Sequence, residues 1–378
     1  MLGFMPAVRL PAVVLEIVAG IVLGPAVLGW VEVDEPVRVL SILGLAFLLF
    51  LAGLEIDYER LRGRLALDAL SSYAVSFAVA VAVGLILAAV DVVIDPLFIA
   101  VVLSATSLGI IVPVLLDSGR AEGDFGQLVI AAASIADFAA IILLTLLFSG
   151  EASSPAVTLI LLAGFLVLVA LLGVAISRAE RLRRVRRAFV RLHGTTAELR
   201  VRGAVLLLVG LTALATQLGF ELILGAFLAG AVLKIFDHEP TPAREELLGK
   251  LHVVGFGVFI PVFFVSVGIN YDLGSLGDLS ILAAIPLFLL ALLAVRGLPA
   301  LLYRHALTRR EMLVAALLQS TSLPFIVAAS EIGISVGAIR PGTAAALIAA
   351  GLGSVILFPA LALNLLGGQQ RVTRVSGR

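Results

Sequence analysis

The chain has no cysteine. That excludes disulfides, thiolate metal sites and cysteine nucleophiles. Charge is scarce as well: 14% of the 378 residues are charged, with 26 acidic and 26 basic side chains and a net charge of zero. Soluble domains carry about a quarter charged residues, and a balanced charge offers no basic footprint for nucleic acid. What the chain has instead is apolar length, with 61% hydrophobic residues and a mean hydropathy of +1.18. It reads as an all-α polytopic membrane protein. The first apolar run, Pro11 to Gly29, is too long for the core of a signal peptide and lacks a small-residue cleavage site, so it reads as a retained span.

Windows of about 20 apolar residues predict about twelve spans, at 11–29, 37–54, 66–90, 96–116, 126–149, 155–176, 201–219, 221–236, 250–270, 278–302, 311–332 and 342–366. With the N-terminus cytoplasmic, the inside segments hold 23 of the 26 basic residues, nine of them between Arg178 and Arg202. Outside segments hold only Arg38 and Arg340, and Arg296 lies within a span. Such a split follows the positive-inside rule. It predicts a multi-pass protein of the cell membrane with both termini cytoplasmic. The basic stretch Ser177 to Arg200 divides two halves of six spans. It fits either an amphipathic helix on anionic lipid or a linker held inside by its charge. His193, His238, His252 and His305 all fall on the cytoplasmic side, either as pH sensors or as ordinary solvated loop residues.

Asp137 lies near the middle of the fifth span, in GQLVIAAASIADFAAIILLTLLF. At about 1.5 Å per residue it is about 16 Å from either end, near the centre of a bilayer about 30 Å thick. An ionisable group at that depth needs a wet cavity or a partner and is a functional-site hypothesis by default. The bland reading is a structural aspartate locking two helices together. Ser134, three residues earlier, shares its helix face. Arg296, on the tenth span, either snorkels to the cytoplasmic surface or neutralises a buried group. Glu16, in the first span, has the same ambiguity.

Spans four and eleven share a polar interruption. One reads SATSLGIIVP, with Ser104, Thr106, Ser107 and Pro113, and the other QSTSLPFIVAAS, with Gln319, Ser320, Thr321, Ser322 and Pro324. Proline removes a backbone donor and hydroxyls compete for backbone bonds, so both segments are predicted to kink or unwind at mid-membrane. Irregular backbone there is tolerated only when buried or facing a cavity. One span enters from outside and the other from inside. Spans 3–5 and 10–12 therefore read as an inverted repeat with paired broken helices, the sequence pointer to a secondary-transporter site. Carbonyls freed at a break, the hydroxyls of Thr106, Ser107 and Ser134, and the Asp137 carboxylate would suit a hard monovalent cation. The same serines also fit helix packing.

These residues resemble the monovalent cation:proton antiporter superfamily, the sodium/hydrogen exchanger fold, in a cation:proton antiporter-2-like form. The resemblance runs through VVLEIVAGIVLGPAVLGW at 13–30, LAFLLFLAGLEID at 45–57, SATSLGIIVPVLLDSG at 104–119, ELILGAFLAGAVL at 221–233, FIPVFFVSVGIN at 259–270 and STSLPFIVAASEIG at 320–333. It implies a mobile core and a scaffold that forms a homodimer. The scaffold helices would occupy 1–65 and 201–275 and the core repeats 66–150 and 276–367. A linker helix and basic loop would fill 151–200, with a basic tail at 368–378. It also implies that Asp137 is the essential carboxylate, Arg296 the basic partner on the tenth span, and Thr106 and Ser107 ligands. Thr321 and Ser322 support the core from the second break.

Three departures stand out. Members usually carry Asp, Asn or Gln before the essential aspartate, and here Ala136 stands there, leaving cation choice open. Many members have a helix before the GxxLGP span, where this chain begins; either the start is misassigned or that helix is lacking, which would alter the dimer surface. No nucleotide-binding regulatory domain is expected after Arg378, unlike the glutathione-gated potassium-efflux relatives. The expected function is exchange of H⁺ for Na⁺, with K⁺ as the alternative and a non-transporting sensor or scaffold as the rival. No enzyme is expected, because the spans carry no nucleophile–base pair or metal-ligand cluster, and no cofactor beyond the transported ions. Asp68, Asp95 and Glu331 lie nearer span ends, and a guanidinium does not release its proton. One exchangeable carboxylate predicts electroneutral 1:1 exchange.

Overall fold

The computed structural model of the chain describes residues 11–55, 63–148, 155–181, 198–236 and 242–375. Among them there is no strand. The helices are α1 (Ala12–Leu23), α2 (Glu35–Glu55), α3 (Gly63–Ala89), α4 (Pro96–Ser104), α5 (Leu108–Asp117), α6 (Asp124–Phe148), α7 (Pro155–Arg181), α8 (Leu199–Gln217), α9 (Leu222–Phe236), α10 (Pro242–Val254), α11 (Ile260–Ile269), α12 (Leu279–Leu292), α13 (Arg309–Gln319), α14 (Pro324–Ser335) and α15 (Pro341–Val375). Ten helical segments among the described residues are long and apolar enough to cross a membrane. Two shorter apolar helices, Ala12–Leu23 and Leu222–Ile235, fall at the first and eighth predicted spans. Residues 182–197 of the basic stretch lie outside the described residues, as do Arg9, Arg60, Arg62, His193 and His238. His252 is tied to its own helix, with Nδ1 2.8 Å from the Leu248 carbonyl.

The chain divides into two units. One is Val33–Ile56 with Thr145–Ser266. Its α9 packs on α2, α7 and α8, and small residues set how closely. A Cβ on Gly53 would lie 2.2 Å from the Phe227 carbonyl oxygen, and one on Gly230 would lie 1.9 Å from that of Phe50. Each glycine admits the other helix's backbone. Between helices in lipid, where burial of apolar surface gives no net drive, such close approach supplies the attraction. Apolar side chains on the outer faces, such as Ile160 at 70% exposure and Leu206 at 72%, are ones that hydrocarbon would cover.

The other unit is Met1–Glu32, Asp57–Leu144 and Val267–Arg378. Here α3 packs on α4, α4 on α14, and α15 on α12, α13 and α14. Both expected interruptions are present. The first leaves helix at Ala105–Ser107, between α4 and α5. The second lies between α13 and α14, at Ser320–Leu323. The two differ in the role of proline. Pro324 is the first residue of α14, where its missing N–H costs nothing. Pro113 is interior to α5, six residues beyond the end of the first break. The first break is therefore set by what takes up its backbone groups rather than by proline. Each broken helix starts with a side-chain cap: Asp95 accepts the N–H groups of Leu97 and Phe98, and Thr308 forms a capping box with Glu311.

Substituting Gly230 by Ala is expected to destabilise the protein by about 1–3 kcal/mol, read as a lower thermal midpoint in detergent. An unchanged midpoint would show that α2 and α9 are not pressed together as described.

Candidate functional site

Asp137 lies on α6, beside the first break. Its two carboxylate oxygens each accept a backbone N–H, one from Thr106 at 3.2 Å and one from Leu108 at 3.3 Å. Leu108 is the first residue of α5, so its N–H is one of the donors that a helix start leaves without an internal partner. The carboxylate thus sits at the positive end of the α5 dipole. It keeps part of its surface accessible, while Ala136 beside it is fully buried.

The Thr106 hydroxyl turns the other way. It donates to the Gln319 carbonyl at 2.7 Å, with the Thr321 carbonyl 3.2 Å away. One residue therefore links the two breaks: its N–H to the carboxylate of α6, its hydroxyl to carbonyls freed at the end of α13. Ser107 is buried and opens α5 without a side-chain capping bond. Ser134 donates to the Ile130 carbonyl of its own helix at 2.9 Å. Thr321 does the same toward Leu317 at 3.3 Å. Thr106 and Asp137 are in direct contact, then, while the hydroxyls of Ser134 and Thr321 are engaged within their own helices.

Arg296 is 1% exposed, so its side chain does not snorkel to a surface. It lies in a five-residue π-helical segment, Leu293–Gly297. Such a segment displaces carbonyls from the α-helical ladder, which is why π-bulges gather at functional sites. The Val295 carbonyl accepts the Ser76 hydroxyl at 2.8 Å, and one terminal nitrogen of Arg296 donates to the Ser76 oxygen at 3.1 Å. Asp137, Tyr73 and Tyr303 lie within electrostatic reach of the guanidinium. Tyr73 pairs with Ser104 at 3.1 Å, and Tyr303 donates to Ser72 at 2.7 Å. The sequence pointed to Arg296 and Asp137 but to none of these α3 hydroxyls, of which Ser76 bonds Arg296 across 220 positions.

The family model for the transmembrane sodium/hydrogen exchanger matches residues 1–363. The chain belongs to the sodium/hydrogen exchanger family. It is 31% identical over 360 residues to a putative Na⁺/H⁺ antiporter, YjbQ, of Bacillus subtilis, covering 90% of this chain and 56% of that protein. It is 30% identical over 278 residues to the Na⁺/H⁺-K⁺ antiporter GerN of Bacillus cereus, covering 71% of this chain and 67% of that one. The chain thus spans little more than half the length of the Bacillus subtilis relative. It shares its fold with the sodium proton antiporter NhaP1 of Methanocaldococcus jannaschii, at a TM-score of 0.66 and 19% identity over 94% of this chain and 93% of that one. These relatives are named as antiporters, not enzymes. The chain is a multi-pass membrane protein of that family.

Replacing Thr106 by Val removes the donor from the buried Gln319 carbonyl. A loss of about 1–2 kcal/mol in stability is expected, with Thr106→Ser close to wild type. Equal thermal midpoints for the Val and Ser variants would show that this bond does not join the two breaks.

Proposed function

We propose that the chain is a secondary antiporter that exchanges H⁺ for a monovalent cation across the cell membrane. The observation that carries this reading is the Asp137 carboxylate. It is held at a helix break by two backbone N–H groups and is partly accessible, at a depth where a bilayer offers no solvation. A proton and a cation compete for it, each neutralising its single charge. Na⁺ is the first expected substrate. The name of the Bacillus cereus relative, which includes K⁺, supports K⁺ as the alternative.

In this reading Thr106, Ser107 and Ser134 lie at the ion's position, while Arg296, Thr321 and Ser322 support the core. The segments 66–150 and 276–367 form inverted repeats that move as a core. The scaffold formed by 1–65 and 201–275 joins two copies as a homodimer. Both termini are cytoplasmic. Because one carboxylate exchanges one charge for another, the cycle carries no net charge. Even one uncompensated charge would couple transport to voltage by about 2.3 kcal/mol per 100 mV.

Everted vesicles containing a pH dye test the reading. Addition of Na⁺, Li⁺ or K⁺ should dequench the dye with the wild-type chain and not with Asp137→Asn, while the variant still inserts. Wild-type exchange by Asp137→Asn would end the carrier role of Asp137. Absence of cation-dependent proton movement in the wild type would favour a sensor or scaffold. Electroneutrality predicts no steady current on a supported membrane and no rate change when the potential is clamped, with the clamp ion chosen to differ from the transported one. A sustained current that reverses with the cation gradient would demand a second titrating group.

A further inference from the structure

The two breaks are held by matching contacts. In the first, the N–H groups of Thr106 and Leu108 meet Asp137, which follows them by 31 and 29 residues on α6. In the second, the N–H of Ser322 donates at 3.1 Å to the hydroxyl oxygen of Ser354, 32 residues further along on α15. The Ser354 hydroxyl itself donates to the Gly351 carbonyl at 2.7 Å, with the Ser322 carbonyl 3.1 Å away. Ser354 is fully buried. Each helix that follows a broken helix thus sends one side chain back to the break and accepts a backbone N–H there.

The flanks correspond in the same order. Both α5 and α14 are followed by a glycine at positive φ, Gly119 at 67° and Gly337 at 72°. Arg120 directly follows the first glycine and Arg340 stands three residues after the second, and each is paired with an acid near the start of the other broken helix, in the first turn of α13 or just ahead of the Asp95 cap of α4. Arg120 pairs with Glu311, and Arg340 lies 3.5 Å from Asp91. The first pair is partly exposed and the second largely so, and such pairs add little stability singly. Their value is that they support the correspondence: an acid near the start, a glycine and an arginine after, and an acceptor one helix on. In that correspondence the acceptor is a carboxylate in the first half and a hydroxyl in the second.

We propose that Ser354 is the second-repeat counterpart of Asp137. It is a positioning residue that pins the second break with a neutral acceptor, and it thereby holds the core to one exchangeable charge. This rests on the exchange reading above. A serine at this point accepts one hydrogen bond and donates one, and both are used; it brings no charge to bind a proton or a cation. The pin also reaches the first break. It holds Ser322, next to the Thr321 carbonyl that lies 3.2 Å from the Thr106 hydroxyl.

The test uses the full chain in proteoliposomes. Ser322 offers a reporter, because its own hydroxyl has no hydrogen-bond partner and the chain has no native cysteine. With Ser322→Cys, a small hydrophilic thiol reagent should react about tenfold faster once Ser354→Ala is added, and at the original rate with Ser354→Thr, as expected for loss and return of one buried hydrogen bond. Equal rates with and without Ser354→Ala would overturn the pin. Ser354→Asp should give a steady current on a Na⁺ jump where the wild type gives none. Electroneutral exchange at the wild-type rate by Ser354→Asp would overturn the charge count. If Ser354→Asp does not insert, the labelling series decides. Asp137→Asn is run alongside: its retention of exchange would defeat the exchange reading while leaving the labelling result to judge the pin.

Discussion

In hydrocarbon no backbone N–H or carbonyl can turn to water, so every one must be paired within the protein. A continuous helix meets that demand from its own ladder. A helix that breaks at mid-depth does not, and the second unit contains two. Each break frees donors at the start of one half-helix and carbonyls at the end of the other. The surrounding helices supply the missing partners: Asp137 for Thr106 and Leu108, Thr106 for Gln319, and Ser354 for Ser322. These bonds explain why α6, α13 and α15 gather around the breaks. They also explain why small side chains dominate there, since larger ones would keep the helices too far apart for such short polar groups to reach.

The same constraint accounts for the placement of charge. A buried ion costs several kcal/mol unless hydrogen bonds and an opposite charge offset it. Asp137 meets this with two N–H groups and the α5 dipole, and Arg296 lies within its electrostatic reach. Arg296 needs acceptors, and a regular helix has none to spare. The Val295 carbonyl has no N–H to receive four residues on, because Pro299 stands there, and that carbonyl fixes Ser76, which in turn accepts from the guanidinium. The irregularity in the helix backbone and the buried cation are thus two parts of one arrangement.

Much of this was legible in the chain. Apolar windows fell on the long apolar helices, the isolation of Asp137 among alanines and isoleucines pointed to the residue that meets the first break, and Thr-Ser-Leu marked both interruptions. What could not be read was pairing across long separations. Nothing near Arg296 in sequence points to Ser76, which precedes it by 220 residues, and Ser354 is one serine in a glycine- and leucine-rich helix. Pro113 drew attention to the right segment for an incomplete reason, because Asp137 accounts for the first break and the proline only follows it. A local signal reports that the helix is weak. The partner that takes up its backbone groups is chosen in three dimensions.

Symmetry in contacts need not be symmetry in charge. Two halves related by inversion could place a carboxylate at each break, and the core would then hold two negative charges around one buried arginine. Two protons would neutralise both, whereas one bound monovalent cation would leave a net negative charge, so exchanging two protons for one cation would carry current and add the cost of an uncompensated charge. A serine at the second position keeps the geometric half of the arrangement, an acceptor for the break's N–H, and discards the electrostatic half. The hydroxyl can do so because a backbone N–H needs only a lone pair, whereas a transported cation needs a countercharge. In the proposed exchange, the difference between one acceptor atom type and another at corresponding points of the two halves would be enough to separate holding the break from carrying the ion.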